Sequence, residues 1–149
     1  MIRPLLLLAA LSLSAATGKP AMTHTATGTF EVTLTPLAAT GSPVGAMSIA
    51  KTFNGDLAAA STGQMLAVRT ATEGSAGYVA IEQVTGTLAG RHGSFALQHS
   101  GTMTRGSPTL SVGVVPDSGT EGLAGITGTM DIKITPGRHD YMFSYTLPD

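Results

Sequence analysis

At 149 residues the chain is long enough for one domain that buries most of the surface its unfolded form exposes, and too short for a second. Charged residues make up only 11%, the formal net charge is -1 and no lysine or arginine cluster occurs, so the electrostatic footprint of a nucleic-acid binder is missing. Cysteine is absent, which excludes disulfides, thiol catalysis, thiolate metal sites and a lipoprotein anchor together.

Met1-Ile2-Arg3-Pro4 and the apolar run Leu5 to Leu13 have the short basic region and apolar stretch of a secretory signal. That run is too short to hold the chain in a bilayer as a stable anchor. Residues 1–21 therefore read either as a signal peptide cleaved after Ala16, giving a secreted or periplasmic protein, or as a mispredicted leader upstream of a start at Met22, giving a cytoplasmic one.

Residues 25–148 alternate with period two, broken by Gly, Pro, Asn and Asp, and carry no sustained helical spacing. Phe30, Val32 and Leu34 define the inner face of a first strand, and Met47, Ile49 and Phe53 that of a second. Asn54-Gly55 is expected to close the next hairpin as a type I′ turn. Further strands are predicted near Leu57 to Thr70, Gly77 to Thr87, Ser94 to Met103, Thr109 to Val115, Leu123 to Thr135 and Arg138 to Leu147. Eight sequential antiparallel strands predict an all-β domain closed into an up-and-down barrel, with a sandwich as the alternative arrangement.

The fourth and fifth of these strands carry the chemistry. If Arg91-His92 forms a two-residue turn, Leu88 faces Phe95, Val84 faces His99 and Glu82 faces Gly101. Glu82 and His99 then become diagonal same-face neighbours about 7–8 Å apart by Cα. Tyr78, Ala80, Val84, Leu88, Phe95, Leu97 and Met103 share that face, so both titratable groups point where burial is expected. Lys51 has the parity of Ile49 and Phe53 and should point inward too, with Ala58 opposite and Ala60 and Thr62 along the same face.

A carboxylate that accepts one imidazole N–H fixes the tautomer and frees the other nitrogen to move a proton, so Glu82 and His99 invite an acid/base reading. Lys51, with Glu82 as its partner, would stabilise developing negative charge or act as a base with a lowered pKa. The alternatives are a satisfied interior pair that specifies register and a lysine that snorkels outward or forms a structural ion pair. Phe53, Tyr78, Tyr141 and Tyr145 are candidate ligand-binding aromatics, although such a stripe also reads as core packing.

His139 is expected beside the Pro136-Gly137 turn and exposed, His24 in a mobile segment and His92 in a turn. No two histidines have close i, i+2 or i, i+4 spacing, so no metal site is expected, and no glycine-rich loop leads into a helix to cradle a nucleotide. No cofactor is implied. Ser100 follows His99 directly and so faces the other way, which argues against a Ser-His nucleophile there.

Six segments, Gly28–Val32 (GTFEV), Lys51–Leu57 (KTFNGDL), Gly77–Glu82 (GYVAIE), Phe95–Gly101 (FALQHSG), Val114–Thr120 (VVPDSGT) and Leu123–Gly128 (LAGITG), together resemble the bacterial family called domain of unknown function 3224. The resemblance covers nearly the whole chain after the leader. It implies an eight-stranded antiparallel barrel similar to the allene oxide cyclases, one that often forms homo-oligomers, and it brings no established activity. The resulting expectation is a lumen for a small, largely apolar molecule, with isomerase, cyclase or hydratase chemistry, a lipocalin-like carrier role or an exported structural role as the three uses.

Overall fold

The alternating segments pair in sequential order, and β8 returns to β1 to close an all-β, eight-stranded antiparallel barrel. The computed structural model describes residues 21–38 and 41–148; the expected leader lies, up to residue 20, outside them. The strands are β1 (Thr23–Pro36), β2 (Gly45–Gly55), β3 (Leu57–Arg69), β4 (Ala76–Leu88), β5 (Arg91–Thr104), β6 (Ser107–Val114), β7 (Thr127–Thr135) and β8 (Arg138–Thr146). Closure gives every strand two neighbours and leaves no free edge except where β6 and β7 diverge, joined by the single pair Gly113 and Thr129.

Two turns differ from expectation, with opposite consequences. The β4–β5 hairpin turns at Ala89-Gly90 rather than Arg91-His92, because both residues take the positive φ of a type I′ turn (51° and 75°). Leu88 therefore pairs with Arg91, Val84 with Phe95, Glu82 with Leu97 and Ala80 with His99. The turn has moved by an even number of residues, so every side chain keeps its face. Met103 keeps the inward parity but lies at the rim and is 38% exposed.

The β2–β3 connection is not the expected type I′ turn. Only Gly55 has positive φ there (111°), and the chain goes on pairing with β1, Asp56 donating its N–H to the Thr27 carbonyl at 3.0 Å and accepting the Thr27 N–H at 2.8 Å. Residues 54–58 separate the last pair, Phe53 and Ala59, and this odd number reverses the phase of β3. Lys51 consequently faces Ser61, while Ala58, Ala60 and Thr62 point to solvent. Tyr141 braces the wide turn, its hydroxyl accepting the Leu57 N–H at 2.9 Å and donating to the Asn54 carbonyl at 3.3 Å.

One end of the barrel is solid. Phe95, Phe143 and Tyr145 stack in series at centroid spacings of 5.6 and 5.3 Å, and Phe53 meets Tyr141 edge-on at 5.8 Å. The strand expected from Leu123 begins only at Thr127: positive φ at Asp117, Glu121 and Gly125 bends the preceding chain through a 3-10 turn, Glu121–Leu123. Leu123 and Ile126 thereby enter the barrel as a plug. The loop is held along β5 by Thr120 N–H to the Ser94 carbonyl and Val115 N–H to the Ala96 carbonyl, both 2.9 Å.

On the outer wall, Leu66, Val79 and Ile81 stand about half exposed on β3 and β4. Ala89 takes a positive φ of 51° that its side chain opposes, as Arg105 does in the next hairpin at 48°. Asparagine tolerates the left-handed region that costs an alanine about 1–2 kcal/mol, so Ala89→Asn is expected to raise stability by about 1 kcal/mol. Urea unfolding checks this, and an unchanged or lower midpoint would contradict the turn assignment.

Candidate functional site

Above the plug the inward side chains stop meeting, and the other end of the barrel opens as a cup. Its volume of about 230 Å³ lies below the roughly 300–1,000 Å³ of sites for drug-sized ligands. Phe30, Val32, Ile49, Met65, Tyr78 and Ile132 line the wall, Lys51 and His99 reach the cavity from below, and His139 stands at the rim.

The floor is a diagonal of four polar side chains on four consecutive strands. Lys51 on β2 pairs with Ser61 on β3, Ser61 with Val84 on β4, and Ala80 on β4 with His99 on β5. Glu82, two residues from both Val84 and Ala80, is thus the diagonal neighbour of Ser61 and of His99. The distances follow from that placement. Glu82 Oε1 accepts from Lys51 Nζ at 2.7 Å and contacts His99 Nε2 at 2.7 Å, while Ser61 Oγ donates a short hydrogen bond to Oε2. The two nitrogens share one oxygen and so stand no more than twice that distance apart.

Glycine makes room for this arrangement. Gly63 lies directly across from Glu82, and a Cβ there would meet Glu82 Cα at 2.7 Å and the Ile81 carbonyl closer still. Gly101 lies across from Tyr78, whose ring covers it.

Glu82 is fully buried (0% exposed). Burial pushes its carboxyl up, but the His99 hydrogen bond, the charge and hydrogen bond of Lys51 and the Ser61 hydroxyl outweigh it and hold the group at about 2. At neutral pH it is a carboxylate and can only accept hydrogen bonds. The contact with His99 therefore requires the proton on Nε2, and in the neutral ring the lone pair sits on Nδ1.

Nδ1 makes no hydrogen bond to any described residue. Because no fully buried side-chain nitrogen or oxygen among the described residues lacks a partner, Nδ1 must reach the cavity. Lys51 spends one of its three N–H groups on Glu82 and stands 4.8 Å from the Phe30 ring centroid and 5.8 Å from that of Phe53, a cation–π setting on two sides. Burial and the Glu82 charge push the Tyr78 phenol up, so it remains an O–H donor on the wall.

The three titratable residues singled out in the sequence, Lys51, Glu82 and His99, are thus brought into direct contact. Of the four aromatics, only Tyr78 lines the cup. Phe53, Tyr141 and Tyr145 belong to the packed half, Phe53 touching the floor through Lys51. Three other positions differ from expectation. His139 is half-buried, stacked on Phe30 at 5.0 Å; His24 lies in β1 against Tyr145 at 5.5 Å; and His92 lies in β5, where its exposed ring meets Glu121 at 3.1 Å. Ser61 escaped sequence reading because the phase of β3 was reversed, whereas the parity His139 shares with Tyr141 was a usable signal. Among the described residues no three His, Cys, Asp or Glu side chains group to hold a metal ion.

The family model described as "Protein of unknown function (DUF3224)" matches residues 26–145. A crystal structure of a protein with unknown function from that family, from Shewanella oneidensis MR-1, aligns with a TM-score of 0.81 and 48% identity, covering 86% of this chain and 99% of that one. No curated protein matches the chain.

Proposed function

Because the chain belongs to the DUF3224 family, whose description names no activity, we propose its function from the chemistry of the cup: it takes up a small, largely apolar molecule and moves a proton on it. The observation that carries this reading is the sealed Glu82 carboxylate, which turns the His99 lone pair toward an apolar space. His99 acts as the general base through Nδ1 and returns the proton as the acid. Lys51, with two N–H groups to spare, stabilises the negative charge that develops on the bound molecule. Glu82 is a positioning residue, acting through both. Isomerisation, cyclisation and hydration are the reaction classes that such a proton transfer serves, and the walls add rate by holding one conformer.

The same cup suits a carrier that does no chemistry, a second reading favoured by the complete hydrogen bonding of Glu82 to Lys51, Ser61 and His99. Incubation with a metabolite extract, followed by chromatography and mass spectrometry of what the protein retains, separates the two. Wild type and His99→Gln are expected to retain the same compound, and only wild type to convert it. Retention without conversion by either protein identifies a carrier, and no retention by either rejects the cup as a binding site.

A further inference from the structure

Resting on the proton-transfer reading, we propose that the cup selects a neutral, enolisable carbonyl compound and discriminates against the carboxylate of the same shape. Among the described residues the ionisable groups at the cavity are Lys51, His99, His139 and Tyr78, with Glu82 sealed beneath. The Lys51 charge is already matched by Glu82 at 2.7 Å, so with neutral imidazoles the described residues leave no unmatched cation at the site. A ligand carboxylate drawn to the floor would be an uncompensated charge in an apolar space, which is costly. It could be matched only by protonating an imidazole, and at the floor that imidazole is His99, whose protonation removes the base. A neutral carbonyl oxygen needs only a donor, and Lys51 has N–H groups free for it.

The reaction balances without an oxidant, a reductant or a co-reactant. His99 Nδ1 takes a proton from the carbon next to the carbonyl; the C–H electron pair becomes the enolate double bond, and the carbonyl π pair moves onto oxygen beside the Lys51 ammonium. The Nδ1 proton then returns either to the same carbon or, in an unsaturated ketone, to the far end of the double bond. The first outcome exchanges hydrogen with solvent and the second shifts the double bond.

Cyclohexanone and cyclohexanecarboxylate are suitable probes, both small enough for the cup. Each is titrated into isotope-labelled full-length protein at about pH 8, above the ordinary imidazole range, with NMR shifts of Tyr78 and Ile132 marking occupancy of the cup. Exchange of the ketone α-protons is then followed in heavy water. The expected result is that the ketone shifts these residues at lower concentration than the carboxylate and exchanges in a protein-dependent manner, slowed about 100-fold or more in His99→Gln. Ile132→Trp, which fills the cup and leaves the polar floor intact, is expected to abolish exchange as well and serves where His99→Gln does not fold. Equal or tighter binding of the carboxylate overturns the proposed selectivity and leaves the cup as a binding site, whereas preferred ketone binding without exchange overturns the proton-transfer reading on which the proposal rests. If neither probe shifts these residues, both the selectivity and the reading beneath it fail.

Discussion

Replacing Glu82 with glutamine is expected to cost about 3–5 kcal/mol of folding stability at neutral pH, the loss found when one partner of a buried ion pair is removed. The amide keeps the shape of the side chain but leaves the Lys51 ammonium, 9% exposed and held between Phe30 and Phe53, with no countercharge. A domain of this size has about 5–15 kcal/mol in total, so the variant approaches the edge of folding. Adding Lys51→Met removes the stranded charge and places an apolar chain of similar length against the same two rings. The double variant is therefore expected to recover most of the loss, since a buried ion pair exchanged whole for apolar groups is often neutral in stability. Urea unfolding of the two single variants and the double completes the cycle. Additive losses would contradict the pairing of Lys51 with Glu82.

Acid should act on the same group. The Glu82 carboxyl titrates at about 2 in the folded chain against an ordinary value of 4.5, so as pH falls the unfolded chain takes up this proton first. Its contribution is complete above pH 4.5, declines between 4.5 and about 2, and is lost below that. A displacement of this size corresponds to roughly 3 kcal/mol. At the acid end wild type carries a neutral side chain at position 82, as Glu82→Gln does at every pH. The stability gap between the two proteins, measured by urea unfolding at successive pH values, should therefore be constant near neutrality and close through that window. A gap independent of pH would show that the floor holds a protonated acid.

How far the sequence discloses this site depends on parity. The turn that the sequence places at Arg91-His92 forms at Ala89-Gly90, an even displacement, so Glu82 and His99 remain diagonal neighbours on the inner face across the opposite diagonal. Lys51 was fixed by its own strand, through Ile49 and Phe53, and needed no turn assignment. Ser61 depends on a turn that its local sequence does not define: the longer connection through Asp56 is set by β1 and by the Tyr141 hydroxyl, groups distant in sequence that no local turn preference can reveal. The same limit hid the division of the lumen into a packed half and an open one. That division arises because Leu123 and Ile126 fold in from a loop, and a loop residue has no strand phase from which burial can be read. Tyr141 and Tyr145 had the correct inward parity, but which end of a barrel is filled is decided by that loop.

A sealed carboxylate sets the His99 tautomer, and nitrogen NMR of the imidazole ring reads that tautomer. In uniformly labelled protein above the ordinary imidazole range, Nε2 of His99 is predicted to resonate as a protonated nitrogen and Nδ1 as an unprotonated one. A proton found on Nδ1 with Nε2 bare would mean that Glu82 does not accept from His99, and the lone pair on which the cup's chemistry rests would not face the cavity.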